Sequence, residues 1–209
     1  MKSKKEYQVK KNTVFIKTMF IAFIALCFIG CKHSSDDTNY GDNLKDVIQA
    51  GEDLSGNWKI TKVYMKLYSE KDGVPSPDNI ETSDINTILN YDPEDKEDKI
   101  EIGLDDLELN FATKEEAAEY FMQWIEENET AVENEKQNFE SQIMLIRMFG
   151  GNISKSKSDI QLHININDER NVIIYEKKVN DILKGSMLGQ SIDAKMEATV
   201  TFNITKQHQ

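Results

Sequence analysis

The chain has 209 residues and carries 37 Asp and Glu against 25 Lys and Arg, a formal net charge of −12. So acidic a surface is repelled by nucleic acid and by anionic lipid surfaces, which argues against phosphate-backbone binding and leaves membrane contact to a lipid anchor. Two cysteines and three histidines (His33, His163, His208) leave little material for a thiol- or imidazole-based catalytic centre or a clustered zinc site.

The first thirty-one residues differ from the rest. Lys2, Lys4, Lys5, Lys10, Lys11 and Lys17 stand against one acid, Glu6, and Thr18 to Ile29 follows without a charge. A positive flank, an apolar run of about a dozen residues and then a small Gly30 is the order of an export leader. The run is shorter than the ~20 residues that a spanning helix needs. Phe28-Ile29-Gly30-Cys31 resembles the bacterial lipobox, with Phe28 standing where Leu is usual. The resemblance implies cleavage before Cys31, diacylglycerol on its sulfur and an acylated new amino terminus. Residues 1–31 are then a lipoprotein signal peptide ending at the lipidated cysteine, and several acyl chains hold a protein on a bilayer where one would be marginal. The following Lys32-His33-Ser34-Ser35-Asp36-Asp37 is similar to the surface-export signal of Bacteroidetes-type lipoproteins; a flexible tether has the same composition. The resemblance therefore implies an outer-membrane lipoprotein, on the cell-surface or the periplasmic face.

Without the leader, which holds six lysines and one glutamate, 19 basic and 36 acidic side chains remain, a net charge of −17. With Cys27 removed and Cys31 acylated, the folded part has no thiol for a disulfide, a nucleophile or a metal.

Residues 32–53 read as a flexible acidic tether with a short helix near Leu44–Ala50, and residues 54–207 as a single globular domain. From Trp58 to Tyr68 the alternation changes phase: Trp58 and Ile60 share one parity, Val63, Met65 and Leu67 the other. A bulge near Thr61-Lys62 brings both sets to one face. A long connector over 69–98 contains Asp72-Gly73, Pro75, Pro77 and the run Asp92 to Asp98. That run lacks the spaced ligands and central glycine of an EF-hand loop and reads as a solvated loop. A turn of regular structure is expected at Thr87–Asn90, and strands in two phases over Lys99–Phe111.

Thr113 with Glu116 forms a capping box. Apolar residues at helical spacing from Phe121 to Ile146 then predict a helical insertion over about 114–149, stopped by Gly150-Gly151. The stripe thins between Asn128 and Glu135, which leaves open one long helix or two, or a helix protruding from the core. Ile160, Leu162, Ile164 and Ile166 alternate with polar residues, turning His163 outward. Asp168 to Asn171 is a turn and Val172–Val179 returns. After a break near Asn180-Asp181, Ile182–Leu188 leads to a hairpin turn at Gly189-Gln190. Ile192, Ala194, Met196, Ala198, Val200, Phe202 and Ile204 then alternate inward to the end.

The pattern predicts an α+β fold: a mostly antiparallel, curved or closed sheet with the long helical insertion. Gly56-Asn57-Trp58, opening the first strand, is similar to the Gly-x-Trp of lipocalins, although no second lipocalin motif follows and the helix interrupts the strand order. That resemblance implies a β-barrel enclosing a small apolar ligand, with Trp58 structural and small inward residues such as Ala194 and Ala198 leaving room. The other reading is a non-catalytic interaction or structural lipoprotein docking a protein or glycan partner. No Gly-rich phosphate loop, Gly-x-Ser-x-Gly elbow or distinctive carboxylate pair is present, so the expectation is no enzyme, no catalytic or metal residues and no cofactor.

Overall fold

The computed structural model describes residues 41–89 and 108–208. Cys31, the tether before Gly41, the acidic run Asp92 to Asp98 and the strand expected from Lys99 to Leu107 lie outside the described residues.

The fold is α+β, dominated by one antiparallel sheet. Four long strands form its body: β2 (Gly56–Lys71), β6 (Asn152–Ile166), β7 (Val172–Met187) and β8 (Gln190–Gln207). Their spatial order is β6-β7-β8-β2, so β2 pairs along its whole length with the last strand. Three short strands occupy its other edge in turn: β5 (Glu108–Phe111) at its start, β4 (Ile80–Thr82) at its middle and β3 (Val74–Pro75) at its end. At the far edge, β1 (Asp42–Asn43) pairs with Ile166 and Asn165 of β6. The sheet is not closed: among the described residues no pairing joins the β6 side to the β2 side, so of the curved and closed forms that the sequence left open, the barrel is not confirmed.

Packing begins upstream of Leu54, the expected start of the domain. Helix α1 (Leu44–Gln49), capped by the Asn43 side chain on the Lys45 N–H at 2.9 Å, buries Leu44 and Val47 in the core. A short α2 (Ile85–Leu89) adds Ile88.

Helix α3 (Lys114–Met148) covers one face of the sheet and is continuous; the break considered near Asn128–Thr130 is absent. Thr113 Oγ1 accepts the Glu116 N–H at 3.2 Å. The Glu116 carboxylate reaches back to the Ala112 N–H, one residue beyond the usual partner of a capping box. The helix ends in a Schellman-type cap: the Gly151 N–H donates to Ile146 O at 2.8 Å, and Gly150 takes φ +78°, which glycine adopts without a steric cost.

The two phases of β2 are reconciled by a register shift between Ile60 and Lys62. Before it Ile60 lies opposite Ile204, and beyond it Val63 lies opposite Phe202, Met65 opposite Val200 and Leu67 opposite Ala198, all on the face that carries the core. In β7 the expected break is also absent, because Asn180 pairs with Asp159 and Asp181 with Ser158 without interruption. The β7–β8 turn falls one residue early, at Leu188-Gly189, with both φ angles positive (52° and 78°) as in a type I′ turn.

Aromatic rings fasten the helix to the sheet. Phe121 packs edge-on against Trp58 at 5.8 Å and against Phe111 at 5.2 Å. Trp124 leans on Tyr175 and Phe202, which stack on each other at 4.3 Å as cross-strand neighbours. Trp58 is fully buried, and its Nε1–H donates to Leu54 O at 2.9 Å. Replacing it with alanine removes both ring packing and hydrogen bond, so Trp58→Ala is expected to cost about 3–5 kcal/mol in urea unfolding. A loss below ~1 kcal/mol would contradict its place at the centre of the core.

Candidate functional site

Two places depart from an ordinary helix-on-sheet core: a polar seam within it and a cleft at its edge. The seam follows from strand parity. Tyr175, Lys177, Val179 and Asp181 alternate onto the face beneath α3. Register sets Leu162 and Val200 on either side of Lys177, and Ser158 and Met196 on either side of Asp181. Glu135 comes down from the helix, and Lys177 Nζ donates to its Oε1 at 2.6 Å, with each side chain only 1% exposed.

Asp181 adds a second buried carboxylate on the same face, and its charge acts on Glu135. Glu135 Oε2 and Asp181 Oδ1 are buried without a hydrogen-bond partner. Burial pushes the Glu135 carboxyl up to about 7, against the pull of Lys177 and with a further push from Asp181. Burial also pushes Asp181 up to about 7, the Ser158 hydroxyl opposing it. Near neutral pH the seam is therefore poised to hold a proton.

The polar line continues toward the helix N-terminus. The Asn128 side chain accepts from the Tyr175 hydroxyl at 3.1 Å and donates to Trp124 O at 2.8 Å. Burial, then the Glu135 charge, raises the pKa of Tyr175. These contacts explain the thinning of the apolar stripe. Asn128 and Glu135 face inward as polar members of the core, and Val132 and Phe139 between and beyond them are buried. This stretch of helix does not protrude.

The cleft lies on the other flank of α3, against β6. Its volume is about 320 Å³, and it stands half open. Ile125 and Val132 from the helix and Ile160, Leu162 and Ile164 from β6 make an apolar floor; Asn43, Glu129, Glu133 and Lys136 line it with polar groups. At the rim Lys45 bridges from α1 to Glu129 at 2.9 Å.

The small residues expected to leave room within a barrel do not line this cleft. Ala198 is packed between Leu67 and Val179 and is 2% exposed; Ala194 faces Leu183 and Lys71 across the strands. His163 is exposed on the helix-free face, as parity requires, and Trp58 is core. Among the described residues no three His, Cys, Asp or Glu side chains gather to hold a metal ion, and no helix is long and apolar enough to cross a membrane. Glu135, Lys177 and Asp181 were not singled out by sequence. The parity of β7, with Lys177 and Asp181 on the same side as Ile173 and Tyr175, was the available signal.

Compared with models of protein families, with curated proteins and with solved structures, the chain finds no match.

A carboxyl whose pKa is higher in the folded state than in the unfolded state stabilises the fold at low pH. That contribution is lost as pH rises through the folded value. For Glu135 and Asp181 the loss runs from about pH 4 to about pH 7, the folded value of both. Asp181→Asn removes a buried ionised group with an unpartnered oxygen. It is expected to leave stability near wild type at about pH 4.5 and to raise it by on the order of 1–3 kcal/mol at about pH 8. Urea unfolding at the two pH values measures the difference; equal effects at both would remove Asp181 from the titrating seam.

Proposed function

We propose that this chain is a membrane-anchored bacterial lipoprotein, held at the outer membrane through acylated Cys31. Its acidic domain takes up a small apolar ligand in a lipocalin-like manner, in the cleft between α3 and β6 and not within a closed barrel. The observation that carries the ligand reading is the cleft itself: five apolar side chains set beside four polar ones, in the size range of small-molecule sites. Its position agrees with the anchor. Asn43 lines the cleft, and Cys31 precedes Gly41 by ten residues, a reach of at most about 35 Å. A ligand drawn from the bilayer has a short path to the cleft.

The role is non-catalytic. A second reading, docking of a protein or glycan partner, draws on the helix-free face of the sheet. There Tyr64 and Tyr68 stand on one strand with their hydroxyls on Glu81 and Glu70 at 3.0 and 2.8 Å.

The anchor and the cleft are tested separately. Cys31→Ala is expected to move the protein from the membrane pellet to the soluble fraction of the native cell, with loss of acyl mass by mass spectrometry. An unmodified sulfhydryl on the wild-type protein would end the anchor reading. Leu162→Trp fills the cleft floor and is expected to weaken uptake of a fluorescent fatty acid at least ~10-fold, at a folding cost of about 1–3 kcal/mol. If wild type takes up none, the cleft is not a ligand site and the docking reading stands.

A further inference from the structure

Among the described residues the large exposed apolar side chains are Val74, Met144, Leu145, Met148, Phe149 and Leu188, together with Tyr120. All except Tyr120 lie at one pole of the sheet, as the strand registers show. Val74 follows the Asp72-Gly73 turn of β2, and the Asp72 N–H donates to Asp193 O in β8. Leu188 sits in the turn between β7 and β8, five residues before Asp193. Asn152 pairs with Ser186, which sets the α3–β6 turn and Phe149 beside the β7–β8 turn. The chain enters the fold at the opposite pole, where Asp42 pairs with Ile166.

The fold itself does not require these residues. Leu188 is 85% exposed at φ +52°, a conformation that glycine, asparagine and aspartate take more readily. In the last turns of α3, Ile143 and Ile146 are half-buried while Met144, Leu145 and Met148 are exposed. A helix apolar all round is ordinarily covered. Around the α3–β6 turn the local charge is inverted too: between Glu140 and Asp159 there is no acidic residue, while Arg147 and Lys155 are basic, in a chain of net charge −12. Elsewhere on the pole Asp193 is paired with Lys184, and Asp72 is acidic.

We propose that this pole is a contact surface for an anionic lipid bilayer. Val74, Met148, Phe149 and Leu188 enter below the headgroups, and Arg147 and Lys155 meet the phosphates. Large apolar side chains spread over a helix end and two hairpin turns suit a deformable apolar medium, whereas a protein partner needs one contiguous complementary face. The basic residues, set into an otherwise acidic molecule, complement anionic headgroups. This contact does not rest on acylation of Cys31. The long strands span about 50 Å and the tether at most about 35 Å, so a domain using both contacts on one bilayer must tilt.

The full-length protein is reconstituted in vesicles of phosphatidylcholine alone or mixed with phosphatidylglycerol. A thiol-reactive, environment-sensitive dye is placed at Phe149→Cys or, at the opposite pole, at Glu169→Cys. Dye uptake by the parent chain reports independently whether Cys27 or Cys31 has a free thiol, and both are replaced by alanine in the labelled variants if it does. The dye at 149 is expected to be quenched by brominated lipid in the anionic vesicles and to lose most of that quenching in about 0.5 M salt. The dye at 169 should stay unquenched. Adding Leu188→Asn, which suits the turn and leaves the thermal midpoint unchanged, is expected to reduce quenching at 149 roughly threefold or more. Quenching absent from both vesicles, or equal in both, overturns the proposal. So does shielding of the dye that tracks protein concentration without lipid, which would assign the pole to a second copy of the chain.

Discussion

The attachment of one long helix to an open sheet by a line of aromatic rings holds the rest of the structure in place. Phe121 bridges Trp58 and Phe111, and Trp124 bridges Tyr175 and Phe202, so the first three turns of α3 touch three of the four long strands. An open sheet has a bare face that must be covered. Here the main cover is one long helix crossing from the β2–β5 corner toward β6, with the short α1 and α2 adding Leu44, Val47 and Ile88. Both the seam beneath the helix and the cleft beside it are products of that crossing. One helix cannot fill the whole width, and the polar groups follow the line along which it lies.

The seam shows what the covering costs. Burying Glu135 and Lys177 together removes two charges from water, and their mutual attraction offsets that only with good geometry. The 2.6 Å contact supplies the geometry for one oxygen of Glu135 and leaves the other unmet, while Asp181 adds a second negative group. A hydrophobic pair would hold the helix at least as well. The ionic arrangement instead fixes the rotation of the helix about its axis, since only one face of α3 presents a carboxylate to Lys177 at this level.

Much of the fold was legible from local pattern. The parity change in β2 announced its bulge, and Thr113 with Glu116 announced the start of α3. The alternation through β8 correctly gave the face beneath the helix. What failed did so for identifiable reasons. Asn180 and Asp181 read as a break because polar pairs usually interrupt strands; here they stay in register, and Asp181 belongs to the buried seam. Asn128 and Glu135 read as a weakness in the helix because a polar residue on a core face has no sequence mark that distinguishes a partnered group from a solvated one. Closure of the sheet was beyond parity altogether, since alternation assigns faces but not which edge meets which. The cleft was equally hidden, because its two walls lie some thirty residues apart and neither is unusual alone.

The pairing of β2 with β8 bears on how the chain reaches its native state. Thr61 and Thr205, 144 residues apart, are joined through their side-chain hydroxyls. The sheet therefore has no complete centre until β8 has been synthesised. Such non-local topology folds slowly. A chain that has not yet made β8 leaves one whole edge of β2 unpaired, open to wrong partners until its own arrives.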